Sequence, residues 1–500
     1  MNARSRQRGA RHMPERHIRT LPFTHRHDVL SEEEVTGLHE RSLEILERVG
    51  ITTSNPGLLD AMAEAGQTVD RDERRIRFDP AFVEGCLRLA PRAYTLAARD
   101  PALDLPLDGS AGYLATDGCP ADVVDLETGR RRPGTKQDIA DITRLADALP
   151  QIAFHWQPVS ANDAPVPVRP MYETLAQFPN TTKHIQQMTA IDPVNSRGIV
   201  EMARVVAGGA DALRARPIVS NFQCSISPLH WDDGPVESMR VFAEAGVPVG
   251  ICAMPLAAAS APLSIAGMLA MANAEILSGI AILETLAPGT PTMHISYAAT
   301  IDLASGGMNT AWGPEEVFSA MANTQLARRY EIPYSVWAFA SGAKYPDWQA
   351  GIQAGLTGMA LALSPGHLIN GAGSLYDDVV YSPTELVLDA ESFEMAVRFA
   401  EGFSFTAADV AVDTIAEVGP GGHFLDRPHT LANMRTFWRE TVMDRTSWEA
   451  WEEAGRPDAA RAAADRARKL LAEHEPEPLP EDVAGELDAI VRTYERQALA

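Results

Sequence analysis

From Tyr113 onward the chain repeats one theme eight times: a short apolar run, a polar or glycine tip, then a helical pattern. The apolar runs are Tyr113–Thr116, Ile152–Val159, Lys183–Ala190, Pro217–Cys224, Val247–Met254, Thr292–Tyr297, Tyr334–Phe339 and His367–Asn370. Helical patterns follow over 135–149, 170–178, 195–207, 235–245, 263–287, 314–330, 347–362 and 384–401. Each crossover is long enough to hold a helix, so consecutive strands run parallel. Eight such units predict an α/β fold of the (β/α)8 TIM-barrel type over 111–403. An open doubly wound sheet is the alternative, but the G-x-G-x-x-G turn that would justify a nucleotide there is missing.

Before the barrel, the spacing predicts a flexible or subunit-embracing arm over 1–28 and a small helical and mixed domain over 29–110. Ser31 and Glu34 form a capping box for a helix that Gly50 ends, and a second helix runs near 79–90 until Pro91. After residue 403 the rhythm stops, and 404–500 reads as a Gly-rich motif followed by a helical extension.

Composition excludes several functions. A net charge of −24 argues against binding phosphate backbones, so no nucleic-acid partner is expected. Four cysteines without zinc spacing exclude a disulfide scaffold and suggest a reducing, cytoplasmic setting. The uncharged stretch 245–274 is long enough for a bilayer, yet Pro248, Pro255 and Pro262 interrupt it, so no membrane span is expected. The helix over 263–287 carries only Glu275 and Glu284 as charges and is apolar around most of its circumference. Something must cover it. A second subunit is the favoured cover, which predicts a homo-oligomer, and the chain's own terminal extensions are the alternative.

In such barrels the active site lies at the carboxyl ends of the strands. Those ends carry Asp117, His155, Trp156, Gln157, Gln186, Gln187, Gln223, Tyr297, Trp337, Ser341, Lys344, Asn370 and Tyr376. Trp312, Phe339 and Tyr345 add to the aromatics at the same end, and a cage of aromatic rings attracts a quaternary ammonium. For each ring, core packing is an equal reading from spacing alone. Lys344 is one of only four lysines. It could anchor an anionic group or form a Schiff base, as a lyase or aldolase would require. His155, Cys224, Cys252 and His294 could ligate zinc in principle, but they come from separate strands and ordinary interior roles are favoured. No metal site is expected.

The run EVGPGGHFLDRPHT (417–430), Arg435, Trp438 and DRTSWEAW (444–451) resemble the signature of the trimethylamine:corrinoid methyltransferase family. ELVLDAE (385–391), GAKYPDWQAG (342–351) and TDGCPADVVD (116–125) are similar to the same family, and the likeness spans about residues 30–455. The resemblance implies a barrel that passes a methyl group to the cobalt of a separate corrinoid protein. Cobalamin would then arrive on that partner, with no cofactor bound tightly by this chain. Gly421, Gly422, His423 and His429 would lie on a loop near the site or the partner. Trimethylamine enzymes of the family carry pyrrolysine in the barrel, near 335–345 here, where this chain has ordinary residues. It therefore resembles the larger branch whose known members demethylate betaines. The chemistry agrees: a quaternary ammonium leaves as a neutral amine and needs no acid, so the task is positioning. No convincing acid–base pair is visible. A non-enzymatic betaine-binding barrel is the remaining alternative.

Overall fold

The structure is a computed structural model and describes residues 17–309 and 313–499. The eight apolar runs become barrel strands β1 (Ala111–Thr116), β2 (Ile152–His155), β3 (His184–Gln187), β4 (Val219–Cys224), β5 (Val249–Ala253), β6 (His294–Ser296), β7 (Tyr334–Trp337) and β8 (Leu368–Ala372). Neighbours pair in parallel, and β8 returns to β1 through Leu368↔Tyr113 and Ile369↔Leu114, which closes the barrel. The alternating helices are α1 (Lys136–Ala148), α2 (Arg169–Gln177), α3 (Pro193–Ala207), α4 (Asp233–Glu244), α5 (Ile265–Leu286), α6 (Pro314–Tyr330), α7 (Trp348–Leu363) and α8 (Pro383–Glu401). Their starts follow local chemistry. Thr135 and Asp138 form a capping box on α1, while Asp192, Ser264, Asp347 and Ser382 accept backbone N–H bonds at the starts of α3, α5, α7 and α8.

The residues ahead of the barrel are wrapped onto it. The helix Glu32–Arg48, capped by Ser31 and Glu34 as its sequence predicts, packs along α5, as does Pro80–Leu89. Leu46, Met62 and Cys86 share one core with Ile276, Leu277 and Ile280 of α5. Asn273 of α5 donates to Ser42 Oγ at 2.9 Å and to Tyr330 Oη at 2.8 Å, and Ser42 Oγ donates to the Ala270 carbonyl. Among the described residues α5 is long and apolar enough to cross a membrane, and 83% of its most apolar window is buried inside the chain. The cover predicted to come from a second subunit is therefore supplied by the chain's own N-terminal helices, and α5 gives no reason for a homo-oligomer. The expectation of a flexible arm over 1–28 is corrected from His17 onward. Leu21–Pro22 pairs antiparallel with Ala111–Gly112, and Arg19 bridges Glu394 at 2.8 Å and Glu401 at 2.6 Å. At the other terminus Ala459–Glu473 packs on α8 and Glu481–Leu499 on α2 and α3.

Glu284, near the end of α5, accepts from Gly289 N at 2.6 Å, and burial pushes its carboxyl up to about 7. A folded-state value above the unfolded one contributes stability that is full below about pH 4 and is lost as pH rises through about 7. Glu284→Gln keeps the accepting oxygen without the titration. Its melting temperature should therefore overtake that of the wild type between pH 5 and 8, and parallel curves for the two proteins would contradict this.

Candidate active site

Side chains that point inward at the carboxyl ends of the strands meet at the barrel mouth. Trp156 follows β2, Tyr297 follows β6 and Trp337 ends β7. The Trp156 and Tyr297 ring centroids lie 5.9 Å apart, and those of Tyr297 and Trp337 5.2 Å apart. Trp156 also meets Phe222 of β4 at 5.0 Å. Its Nε1 donates to Gln186 Oε1 at 2.5 Å, and Gln186 Nε2 donates to Ser220 Oγ at 3.1 Å. Gln186 thus fixes the indole from beneath. Tyr297 Oη hydrogen-bonds with Ser335 Oγ at 2.8 Å and donates to Asn370 Oδ1 at 3.0 Å. Sulfur atoms pack against the same cluster. Cys224 Sγ lies 3.9 Å from Met254 Sδ, and Cys224 and Cys252 are register partners on β4 and β5. Met188 packs so closely on Gly118 that a Cβ there would come within 2.4 Å of its Sδ. Soft thioether and thiol surfaces of this kind suit methyl groups.

Asp117, just past β1, is buried and hydrogen-bonds with Asp378 and Ser374, and burial pushes its carboxyl above the ordinary range. Burial and the adjacent Asp117 push Asp378 well up too, so the two carboxyls share a proton instead of both ionising. The turn that brings Asp378 there has three consecutive left-handed residues, Tyr376, Asp377 and Asp378, at φ 53, 54 and 61°. Such backbone is strained for residues other than glycine and persists only where its surroundings enforce it. Burial first, then Cys252, Asp117 and Cys224, raise the Tyr297 phenol far above its usual value, so it remains a neutral donor.

The buried polar atoms near this mouth that have no hydrogen-bond partner among the described residues include Asp117 Oδ2, Trp337 Nε1 and Asn370 Nδ2. Trp337 and Asn370 are register neighbours on β7 and β8. Gly371 permits that approach, since a Cβ on it would sit 1.8 Å from the Ala338 carbonyl oxygen, and its φ is +124°. Unpaired buried polar groups are costly, and the natural reading is a polar ligand. The mouth offers aromatic faces and one carboxyl to a cation, and two N–H donors to an anion.

A model of trimethylamine methyltransferases matches residues 1–498. The chain belongs to the trimethylamine methyltransferase family. It is 32% identical to the trimethylamine methyltransferase MttB of Desulfitobacterium hafniense strain DCB-2 over 466 residues, 93% of each protein. It is 30% identical to the glycine betaine methyltransferase of Desulfitobacterium hafniense strain Y51 over 470 residues, covering 93% of this chain and 97% of that protein. A crystal structure of the Methanosarcina barkeri monomethylamine methyltransferase superposes with a TM-score of 0.47 at 11% identity, over 88% of this chain and 94% of the other. The chain is a methyltransferase of this family, as its Gly-Pro-Gly-Gly-His signature implied.

Several residues read from the sequence as site residues of this family member lie elsewhere. Gln223 has the same strand parity as Val219 and Asn221 and faces the helix layer, where Nε2 donates to the Ala190 carbonyl and to Asn221 Oδ1, both at 2.9 Å. Phe339 has a left-handed backbone (φ 65°) that turns its ring outward against Phe393 at 6.3 Å. Lys344 is exposed. Its Nζ donates to the Gly342 carbonyl at 2.7 Å and sits 4.4 Å over the Tyr376 ring, which removes the buried setting that a Schiff-base lysine needs. Tyr376 is spent on that contact, and Tyr345 lies on an outer groove beside Trp348. Trp312 falls outside the described residues. Gly421, Gly422, His423 and His429 stand on a projecting segment, away from the barrel interior. The four residues considered for zinc do not converge. His155 Nε2 bonds Thr181 Oγ1 at 2.9 Å and His294 Nε2 bonds Asn273 Oδ1 at 3.1 Å, both toward the helix layer. Burial holds both imidazoles at about 3, uncharged. What the sequence reading missed is that Met188 and Met254 join Cys224 at the site and that Asp378 pairs with Asp117. Both methionines already lay in the apolar runs Lys183–Ala190 and Val247–Met254, where an apolar side chain carries no site signal; the Tyr376–Asp378 turn left none either.

Proposed function

We propose that this chain moves a methyl group from a betaine, a quaternary ammonium that also carries a carboxylate, to Co(I) of a corrin borne by a separate protein. The observation that carries the reading is that one mouth holds the Trp156–Tyr297–Trp337 rings together with the unpartnered Asp117 Oδ2, Trp337 Nε1 and Asn370 Nδ2, the last two from register partners. The rings and Asp117 suit the ammonium, and the Trp337 and Asn370 donors suit the carboxylate, in place of the anion anchor that Lys344 could have offered. Each cation–ring contact contributes on the order of 0.5–2 kcal/mol.

In the transfer the N–CH3 bond breaks as the cobalt pair forms the new bond to carbon, and the amine keeps the N–C electron pair and leaves neutral. The chain's residues bind, orient one N-methyl toward the opening and exclude water. No side chain has to donate a proton. The acceptor comes as another protein, and the rim fits a protein face. Val166, Ile191, Ile226, Leu263 and Leu303, on loops after β2 to β6, are all exposed apolar residues around one end of the barrel. Such a ring marks an interaction surface. The four free cysteines agree with a reducing compartment such as the cytoplasm.

Trimethylamine as substrate would leave the Trp337 and Asn370 donors idle. With reduced cobalamin in a visible-spectrum assay, a betaine should give methylcobalamin and trimethylamine should not. Trimethylamine turnover equal to that of the best betaine would overturn the assignment.

A further inference from the structure

The segment that carries the Gly-Pro-Gly-Gly-His motif buries none of itself. It leaves the end of α8 at Gly402 and returns at Thr441, whose N–H donates to Glu391 Oε1 at 2.7 Å. No residue from Gly402 to Thr441 is buried, and Phe403, Phe405, Leu425, Leu431 and Phe437 are each more than 70% exposed. The short helices Ala407–Val410, Val412–Val418 and Pro428–Asn433 bury nothing either. Ordering such a segment costs about 1–2 kcal/mol per residue in backbone entropy, which burial normally offsets. Within this chain only partial burial, at residues such as Val418, Arg427 and Trp438, offsets it.

Beside the root of this arm, between α7 and α8, runs a groove of about 740 Å³ whose edge includes Met443. Its floor is made of small residues: Gly351, Ala354, Gly355 and Gly358. A Cβ at Gly351 or Gly355 would meet nothing within 4 Å. Trp348, Met359, Met395 and Phe399 flank it with exposed apolar surface. It is lined by four carboxyl side chains, Asp347, Glu385, Asp389 and Asp458, and by no basic group, and burial pushes Glu385 up to about 8 and Asp389 above its ordinary range. Glu385 Oε2 and Asp389 Oδ1 are buried without a hydrogen-bond partner among the described residues. The arm's three arginines, Arg427, Arg435 and Arg439, all lie in its distal half, together with His423 and His429, whereas Asp409, Asp413 and Glu417 lie in its proximal half.

We propose that the arm of one copy, residues 402–440, lies in the α7/α8 groove of a second copy, with its phenylalanines and leucines on the glycine floor and an arginine reaching Glu385 and Asp389. One chain carries both halves of the contact, apolar arm to apolar groove and distal arginines to groove carboxyls, and the root of the arm already forms the groove's edge. That is the arrangement a homo-oligomer requires. The oligomer then rests on this surface and not on α5.

Light scattering on the full chain at micromolar concentration tests this, together with two variants. Gly355→Trp fills the groove where the chain has open space, and replacing 404–440 with a glycine–serine linker removes the arm. The wild type should have a multiple of the 54.1 kDa chain mass and both variants should fall to 54.1 kDa, with the melting curve of Gly355→Trp showing that its barrel is intact. A wild-type monomer overturns the proposal, including one that associates only when a corrinoid protein is added. So does wild-type mass in either variant.

Discussion

Replacing Trp337 with phenylalanine is expected to weaken glycine betaine binding by about 10- to 150-fold, because it removes a hydrogen bond to a charged group, typically ~1.5–3 kcal/mol. Binding of tetramethylammonium, which has the cation and no carboxylate, should hardly change. The phenylalanine ring keeps an aromatic face against Tyr297, whose centroid lies 5.2 Å from that of Trp337. The Nε1–H, which has no partner among the described residues, is lost together with the second ring of the indole. Titration calorimetry with the two ligands separates the possibilities. Equal losses for both would make Trp337 a packing residue. No loss for either would mean that the carboxylate lies elsewhere.

Leu277→Asp should cost more than about 4 kcal/mol of stability, because it puts an unpaired charge into a packed core. Leu277 is fully buried in the cluster that α5 shares with the helices Glu32–Arg48 and Pro80–Leu89. If α5 instead faced a second subunit, the same change would dissociate the assembly and leave folded monomers. Denaturant unfolding together with light scattering reads the two outcomes apart. A folded monomer of near wild-type stability would return α5 to the surface.

Much of this architecture could be read from the residues alone. Strand and helix periods of the right length, repeated eight times, have few solutions other than a closed parallel barrel. Ser31 with Glu34 fixes the start of a helix by satisfying its own first N–H groups, a local matter that needs no neighbour. The aromatic identity of Trp156, Tyr297 and Trp337, and their position at strand ends, follow from the same pattern.

Tertiary structure decided which way the side chains point and what covers them. A parallel strand buried on both faces reads as continuous apolar sequence, so its parity is invisible until the barrel closes. Gln223 therefore faces the helices while Phe222 and Cys224 face the barrel axis. A left-handed backbone at Phe339 and at Tyr376–Asp378 redirects those side chains in a way that no propensity signals. Likewise α5 announces that it must be covered, and only the packing shows that Glu32–Arg48 and Pro80–Leu89 cover it. Local chemistry determines elements, because caps and periods act over a few residues. Facing and cover depend on contacts between residues more than two hundred positions apart, such as Ser42 with Ala270 and Asn273.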